Sequence, residues 1–369
     1  MLEQIILIAV VLGFAWNLGV HYTGAVMGMP YAARAIREGP ALILIAVLAL
    51  LGATFASGGV QETVGLHIID PADVGVPDAI VIVFAGGLLT LFFNYAKIPT
   101  STIQILVSCV VGVGLAGGMP IAWRTIGHLV IIWVIAPFAA FALGYVFTHL
   151  LDLIVPPEAS RAQALRQIAP LQTGYRSAAE DSLFPAAELP PSPEVERVAA
   201  TEADAVPPSV AQWAVRHLPA LLVLVGMAAS FVMGANDVSN ATGALIMTDT
   251  TSLRTAGLIG GLAIAVGALT WGRRILRTVA FDVVTMDLSM ASAAQGVQAL
   301  VVFAAVSQGF FTSMNQALIG AMAGTGFARG RETVKRRQIN GILRGWLIGP
   351  ISGVALAALC ELLVRWFGG

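Results

Sequence analysis

Long apolar runs alternate along this chain with short polar interruptions, and the runs have the length of membrane spans. Crossing a bilayer as a helix takes about 20 mostly apolar residues. Suitable runs lie near 2–33, 40–57, 77–96, 100–118, 124–151, 212–235, 254–271, 290–310, 312–328 and 340–367. They predict an all-α membrane protein of about 10–12 transmembrane helices, the higher number counting helices broken near the midplane as two. Two runs meet polar clusters. Leu218 to Met233 leads into Gly234-Ala235-Asn236-Asp237-Val238-Ser239-Asn240-Ala241-Thr242-Gly243, and the first run contains Ala15-Trp16-Asn17-Leu18-Gly19-Val20-His21-Tyr22-Thr23-Gly24. The spacing is shared: Asn17 matches Asn236, His21 matches Asn240, and Gly24 matches Gly243. Polar groups in lipid must find partners. The first and sixth spans are therefore expected to be discontinuous helices around a substrate site.

Between the apolar halves, Val155 to Ser209 is rich in Pro, Ala, Glu and Arg and lacks a sustained apolar run. It reads as a soluble linker. The domains are then 1–154, a linker over 155–211, and 212–369. The halves echo one another beyond the Asn clusters. Gly52-Ala53 before Thr63-Val64 matches Gly267-Ala268 before Thr278-Val279. Ser101-x-x-Gln104 with Gly112-x-Gly114 matches Ser313-x-x-Gln316 with Gly324-x-Gly326, and Trp133-x-x-x-Pro137 matches Trp346-x-x-x-Pro350. The offsets, in chain order, are 219, 215, 212 and 213 residues. Ordered anchors at near-constant offset indicate an internal duplication.

Charge sets the orientation of the copies. The loop Ser57 to Val76 carries Glu62, Asp70 and Asp73 and no Lys or Arg, whereas its counterpart carries Arg273, Arg274 and Arg277. By the positive-inside rule the first faces out and the second faces the cytoplasm. Arg34, Arg37 and Lys97, and then Arg329, Arg331, Lys335, Arg336 and Arg337, mark further cytoplasmic loops; Arg124 and Arg254 fall on the outer side against the trend. Five crossings per half put both termini outside and the linker inside. An odd count inverts the second copy, the symmetry many secondary transporters use for alternating access.

Composition agrees. Of 369 residues 57% are hydrophobic and 11% charged, with mean hydropathy +0.84 and net charge −1. Soluble domains carry about a quarter charged residues. Nothing here suits nucleic acid. Cys109 and Cys360 lie in apolar runs and read as core residues, not a disulfide framework. Glu3 flanks the first run where a signal peptide would be basic, so a retained helix is expected.

The candidate chemistry is small. Asp237 is a carboxylate in an apolar setting with no basic residue close in sequence, which calls for a cation, a proton or a distant partner. Pro99-Thr100-Ser101-Thr102-Ile103-Gln104 and Phe311-Thr312-Ser313-Met314-Asn315-Gln316 are hydroxyl-rich breaks that each open an apolar helix. Free N–H groups at such a helix start, with the dipole, bind oxyanions; Ser and Thr are also ordinary N-caps. His21 reads equally as an anion donor or a core histidine, and Asp282 and Asp287 as solvated. No nucleophile–base pair, metal spacing or phosphate loop stands out, so an enzyme or an ATP-driven pump is not expected.

Gly234-Ala235-Asn236-Asp237-Val238-Ser239-Asn240-Ala241 resembles the signature of the inorganic phosphate transporter (PiT) family. The resemblance implies a cation-coupled symporter built from two inverted repeats, each with such a signature. The Ser101 and Ser313 stretches fall where the family has Pro-x-Ser-Thr-Thr-His. Departures are specific: Leu18 stands in place of the first signature's Asp, and Gln104 and Gln316 in place of both His residues. Phe14-Ala15-Trp16-Asn17-Leu18-Gly19, with Met27-Gly28 following, is similar to the degenerate first signature of the bacterial sulfate permease branch. Sulfate offers only acceptors at neutral pH, which suits a donor cage lacking His and a second carboxylate. The resemblance thus implies import of an inorganic oxyanion, sulfate favoured and phosphate the alternative, by H⁺ or Na⁺ symport across the cytoplasmic (inner) membrane. Asn17, Ser101, Thr102, Asn236 and Ser313 would contact the anion, with Gln104 and Gln316 beside them. Asp237 and Asn240 would serve the coupling ion, Asp237 as a Na⁺ ligand. No cofactor other than that ion is implied, and a homodimer is left open. An anion channel or a membrane anion sensor with the linker as its output is the rival; isolated polar islands, not a continuous polar path, speak against the channel.

Overall fold

A computed structural model describes residues 1–96, 100–160, 210–276, 286–330 and 336–368. The linker expectation falls mostly on 161–209, outside the described residues, as do Lys97, Arg277, Asp282, Arg331 and Lys335. In chain order the helices are α1 (Leu2–Ala32), α2 (Glu38–Phe55), α3 (Gly58–Leu66), α4 (Val76–Tyr95), α5 (Thr102–Gly117), α6 (Trp123–Asp152), α7 (Val210–Met247), α8 (Leu253–Thr270), α9 (Leu288–Val306), α10 (Met314–Ala328) and α11 (Arg336–Gly368). Eight described helices are long and apolar enough to cross a membrane. Their outward faces carry apolar stripes at helical spacing, as in Ile43, Val47, Leu51 and Phe55 of α2, all exposed. Such stripes meet lipid, not water. The chain is a multi-pass helical membrane protein.

Two of the ten expected spans are short. α5 has 16 residues and α10 has 15, about 24 and 22 Å at 1.5 Å per residue, less than the roughly 30 Å hydrocarbon layer. Both start inside the bundle, at the hydroxyl-rich breaks. The interior breaks therefore occur at Ser101 and Ser313, and not where the Asn clusters lead one to look. α1 runs unbroken through Asn17, and α7 through Asn236 and Asp237. The reason is local. In α7, Ser239 Oγ donates to the Asn236 carbonyl (2.9 Å) and Thr242 Oγ1 to the Val238 carbonyl (2.9 Å). The polar side chains are satisfied on or across the helix, so its backbone has no need to unwind.

The helices of the two halves interlace. α1 packs on α8 and α7 on α2; α5 packs on α11 and α10 on α6. Glycines set the approach, since with no driving force from water, small residues let backbones close up. A Cβ on Gly267 would strike the Trp16 carbonyl, and one on Gly52 the Phe231 carbonyl. On the other layer, Gly324 meets the Phe141 carbonyl and Gly112 the Val354 carbonyl. Ion pairs close both ends. Arg329 bridges Asp152 at the end of α6 and Asp287 at the start of α9, and Arg273 pairs with Glu38 (2.5 Å). At the other end Arg365 reaches Asp78 (3.7 Å) and Glu361 (2.6 Å). Asp287 is thus not solvated as expected: it caps α9 by accepting from Met290 N (2.9 Å), and its side chain is 9% exposed because Arg329 offsets its burial.

Candidate functional site

The site starts with two helix caps. Ser101 Oγ accepts from Gln104 N, and Ser313 Oγ accepts from Gln316 N, each at 3.3 Å. Both serines are buried. Ordinary capping is therefore present at both breaks, and it leaves the remaining first-turn N–H groups at two buried positive dipole ends. The two helix starts meet, because Gln104 Nε2 donates to Gln316 Oε1 at 3.5 Å.

α7 ties these starts together. Asn236 holds the backbone before α10 with two bonds: its Nδ2 donates to the Thr312 carbonyl (2.9 Å) and its Oδ1 accepts from Thr312 N (3.2 Å). One turn on, Asn240 Nδ2 donates to Thr102 Oγ1 (3.3 Å) and to Asp237 Oδ1 (3.4 Å). Tyr22 of α1 shares a hydroxyl–hydroxyl bond with Thr102 (2.7 Å) and lies in electrostatic range of Asp237. Asn236, Asp237 and Asn240 are at most 1% exposed.

The network is incomplete by itself. Among the described residues, Asp237 Oδ2, Asn240 Oδ1, Gln104 Oε1, Thr312 Oγ1 and Asn17 Nδ2 are buried without a hydrogen-bond partner. Native proteins leave few such atoms, and clusters of them mark places for ions or ligands. The Asp237 and Asn240 oxygens are hard acceptors suited to Na⁺ or a proton; the helix starts and Thr312 are suited to an oxyanion.

Of the sequence candidates, Ser101, Thr102, Gln104, Asn236, Asp237, Asn240, Ser313 and Gln316 are thus joined in one buried region. Asn17 makes no side-chain bond to the others. It lies on α1 between Phe14, which packs on Gly86 and Gly87 of α4, and His21, whose Nε2 meets Asn315 Nδ2 at 3.0 Å. Sequence reasoning missed Gln295 and Gln298 of α9, both buried; Gln298 Nε2 donates to the Met314 carbonyl (3.2 Å). Their signal was a polar residue at every third position in an apolar helix, from Ser289 to Gln298.

A lipid-spanning helical bundle with two buried helix starts beside a buried carboxylate has the build of a membrane transport protein. The profile of the phosphate transporter family matches residues 18–357, so the chain belongs to that family. It is 24% identical, over 98% of both chains, to a Pyrococcus furiosus protein provisionally named a phosphate permease. It is 25% identical to a sulfate permease of Bacillus subtilis, over 94% of this chain and 84% of that one. Among solved structures, a sodium-dependent phosphate transporter superposes with TM-score 0.80 at 22% identity, covering 99% of this chain and 100% of the other, which establishes the common fold.

Proposed function

We propose that this chain is a secondary active symporter that imports an inorganic oxyanion, with sulfate as its preferred substrate and H⁺ or Na⁺ as the coupling ion. One observation carries the reading: two hydroxyl-capped helix starts meet in the buried interior beside a lone carboxylate with an unpartnered oxygen. Uncharged donors bind a dianion without trapping it, and the carboxylate takes the cation that makes the cycle electrically tolerable. Ser101, Thr102, Asn236, Ser313, Gln104, Gln316 and Asn17 serve the anion. Asp237 and Asn240 serve the cation.

Sulfate is favoured because fully buried Leu18 stands opposite Asp237 in the repeat, leaving one carboxylate, and because a sulfate permease is among the relatives. Phosphate is the second reading, and the free Asp237 oxygen speaks for it: it would accept the proton that phosphate retains. The contact exchange between α1–α8 and α7–α2, and between α5–α11 and α10–α6, supports two repeats over 1–154 and 212–369, and the loop charges support their inversion and a cytoplasmic linker. Competition uptake in proteoliposomes decides the substrate. Labelled sulfate should accumulate under a cation gradient and be displaced by sulfate before phosphate; accumulation of phosphate that sulfate does not displace reverses the assignment. Flux indifferent to both gradients would make the protein a channel, and binding without flux a sensor.

A further inference from the structure

The polar stripe of α9 is not used by the anion site. Ser289, Ser292, Gln295 and Gln298 recur every third residue, and all four are buried. From Ser289 to Gln298 the helix rises about 13.5 Å, close to half the hydrocarbon layer. Its inner end touches the site, since Gln298 donates to the Met314 carbonyl beside Ser313. Its outer end joins the ion-pair cluster. Ser289 donates through N (2.9 Å) and Oγ (2.8 Å) to Ser160 Oγ, which donates to Asp287 Oδ1 (3.0 Å), while Arg329 binds Asp287 and Asp152.

The free atoms along this stripe are oxygens. Gln295 Nε2 points at two acceptors, the Ala25 carbonyl (3.2 Å) and Gln298 Oε1. That fixes the amide, and among the described residues its Oε1 is left without a partner, as are Ser292 Oγ and Asp152 Oδ1. Among the described residues Arg329 keeps one unpaired nitrogen, but it sits between two carboxylates, so this trio carries a net negative charge. A moving anion would meet lone pairs and like charge here; a hard monovalent cation would meet ligands. The matching positions of α4 are Pro77, Ile80, Val83 and Gly86, which offer no polar side chain.

We infer that the α9 stripe is the route by which the coupling cation, Na⁺ or hydronium, passes between the central site and the end of the bundle where α6 closes, with Ser292 and Gln295 as its intermediate station. The inference rests on the symport reading and adds a path for the cation separate from the anion's. Ser292→Ala is the sharpest test, because it removes a hydroxyl that no described protein group uses. Anion uptake in proteoliposomes is measured against Na⁺ at fixed pH, and against a proton gradient without Na⁺. Ser292→Ala should raise the half-saturating concentration of one cation about 3-fold and Gln295→Leu about 10-fold, with the anion KM at saturating cation held within about 2-fold. Which arm responds names the ion. Should Gln295→Leu lower the melting temperature enough to confuse the reading, Ser292→Ala decides alone. Unchanged cation dependence in a folded Ser292→Ala, or a rise in anion KM with the cation dependence unmoved, overturns the inference while leaving symport standing. A wild-type protein that accumulates neither oxyanion under either gradient overturns the symport reading itself.

Discussion

The two signature helices, α1 and α7, occupy corresponding places and do different work. On α7, Asn236 clamps Thr312 through both atoms of its amide, Asp237 presents a free oxygen, and Asn240 reaches across to Thr102. On α1 the same positions hold Asn17, Leu18 and His21. Asn17 keeps an unpaired amide nitrogen, Leu18 is packed away at 0% exposure, and His21 bonds Asn315. The Thr100 carbonyl, counterpart of Thr312's, is taken by Asn315 (3.4 Å) and not by Asn17. A duplicated frame can thus keep its packing in both copies while confining the charged chemistry to one. On α1 no carboxylate stands where α7 has Asp237, and a spare donor, Asn17 Nδ2, takes no partner among the described residues.

The largest expected effect separates Asp237 from Leu18. Asp237→Asn should reduce cation-driven accumulation about 100-fold or more, read as gradient-dependent uptake; full accumulation would remove its coupling role. Leu18→Ala should keep coupling but cost about 2–5 kcal/mol of stability through a core cavity, seen as a lowered melting temperature. Next come the paired glycines. Gly112→Ala and Gly324→Ala each push a methyl into a backbone carbonyl of the opposite half and should each destabilise by about 1–3 kcal/mol; strongly unequal losses would break the equivalence of the halves. Asn236→Ala frees both Thr312 bonds and should raise the anion KM about 10-fold and lower stability, since buried partners are orphaned. Asn17→Ala should raise the anion KM with stability changed by less than about 0.5 kcal/mol, because its nitrogen bonds nothing among the described residues. The caps close the series: Ser101→Ala and Ser313→Ala should each cost about 1 kcal/mol, with a rise in anion KM that ordinary capping alone does not produce.

Much of the frame was legible in the sequence. Run length located the ten apolar helices to within a few residues, because a span must match the bilayer's thickness, except that α7 runs on to Met247 where its end was expected at 235. Repeat anchors such as Gly52 with Gly267 were legible too, since a glycine that admits a neighbouring backbone has no substitute. The breaks were misplaced. Asn236 and Asp237 look expensive in a helix when only neighbours in sequence are considered, but Asn236 is paid for by Thr312, 76 residues away. Asp287 failed for the same reason, its partner Arg329 being 42 residues on. The α9 stripe escaped because Ser and Gln scarcely lower an apolar run, so a hydropathy reading passes over them. Partners distant in sequence are what a linear reading lacks.

The interlaced helix pairs also bear on how the protein is made. α1, α2, α5 and α6 each rest on a helix translated later, so the first half enters the membrane with faces that nothing yet covers. At about 5–20 residues per second, roughly ten seconds or more pass between the emergence of α6 and that of α11. During that wait α4 already packs on α1 and α5, but the faces that await the second half have only lipid, or the insertion machinery, as company. The two polypeptide halves, produced as separate chains in one cell, should therefore find each other and stay together, while either produced alone should be short-lived.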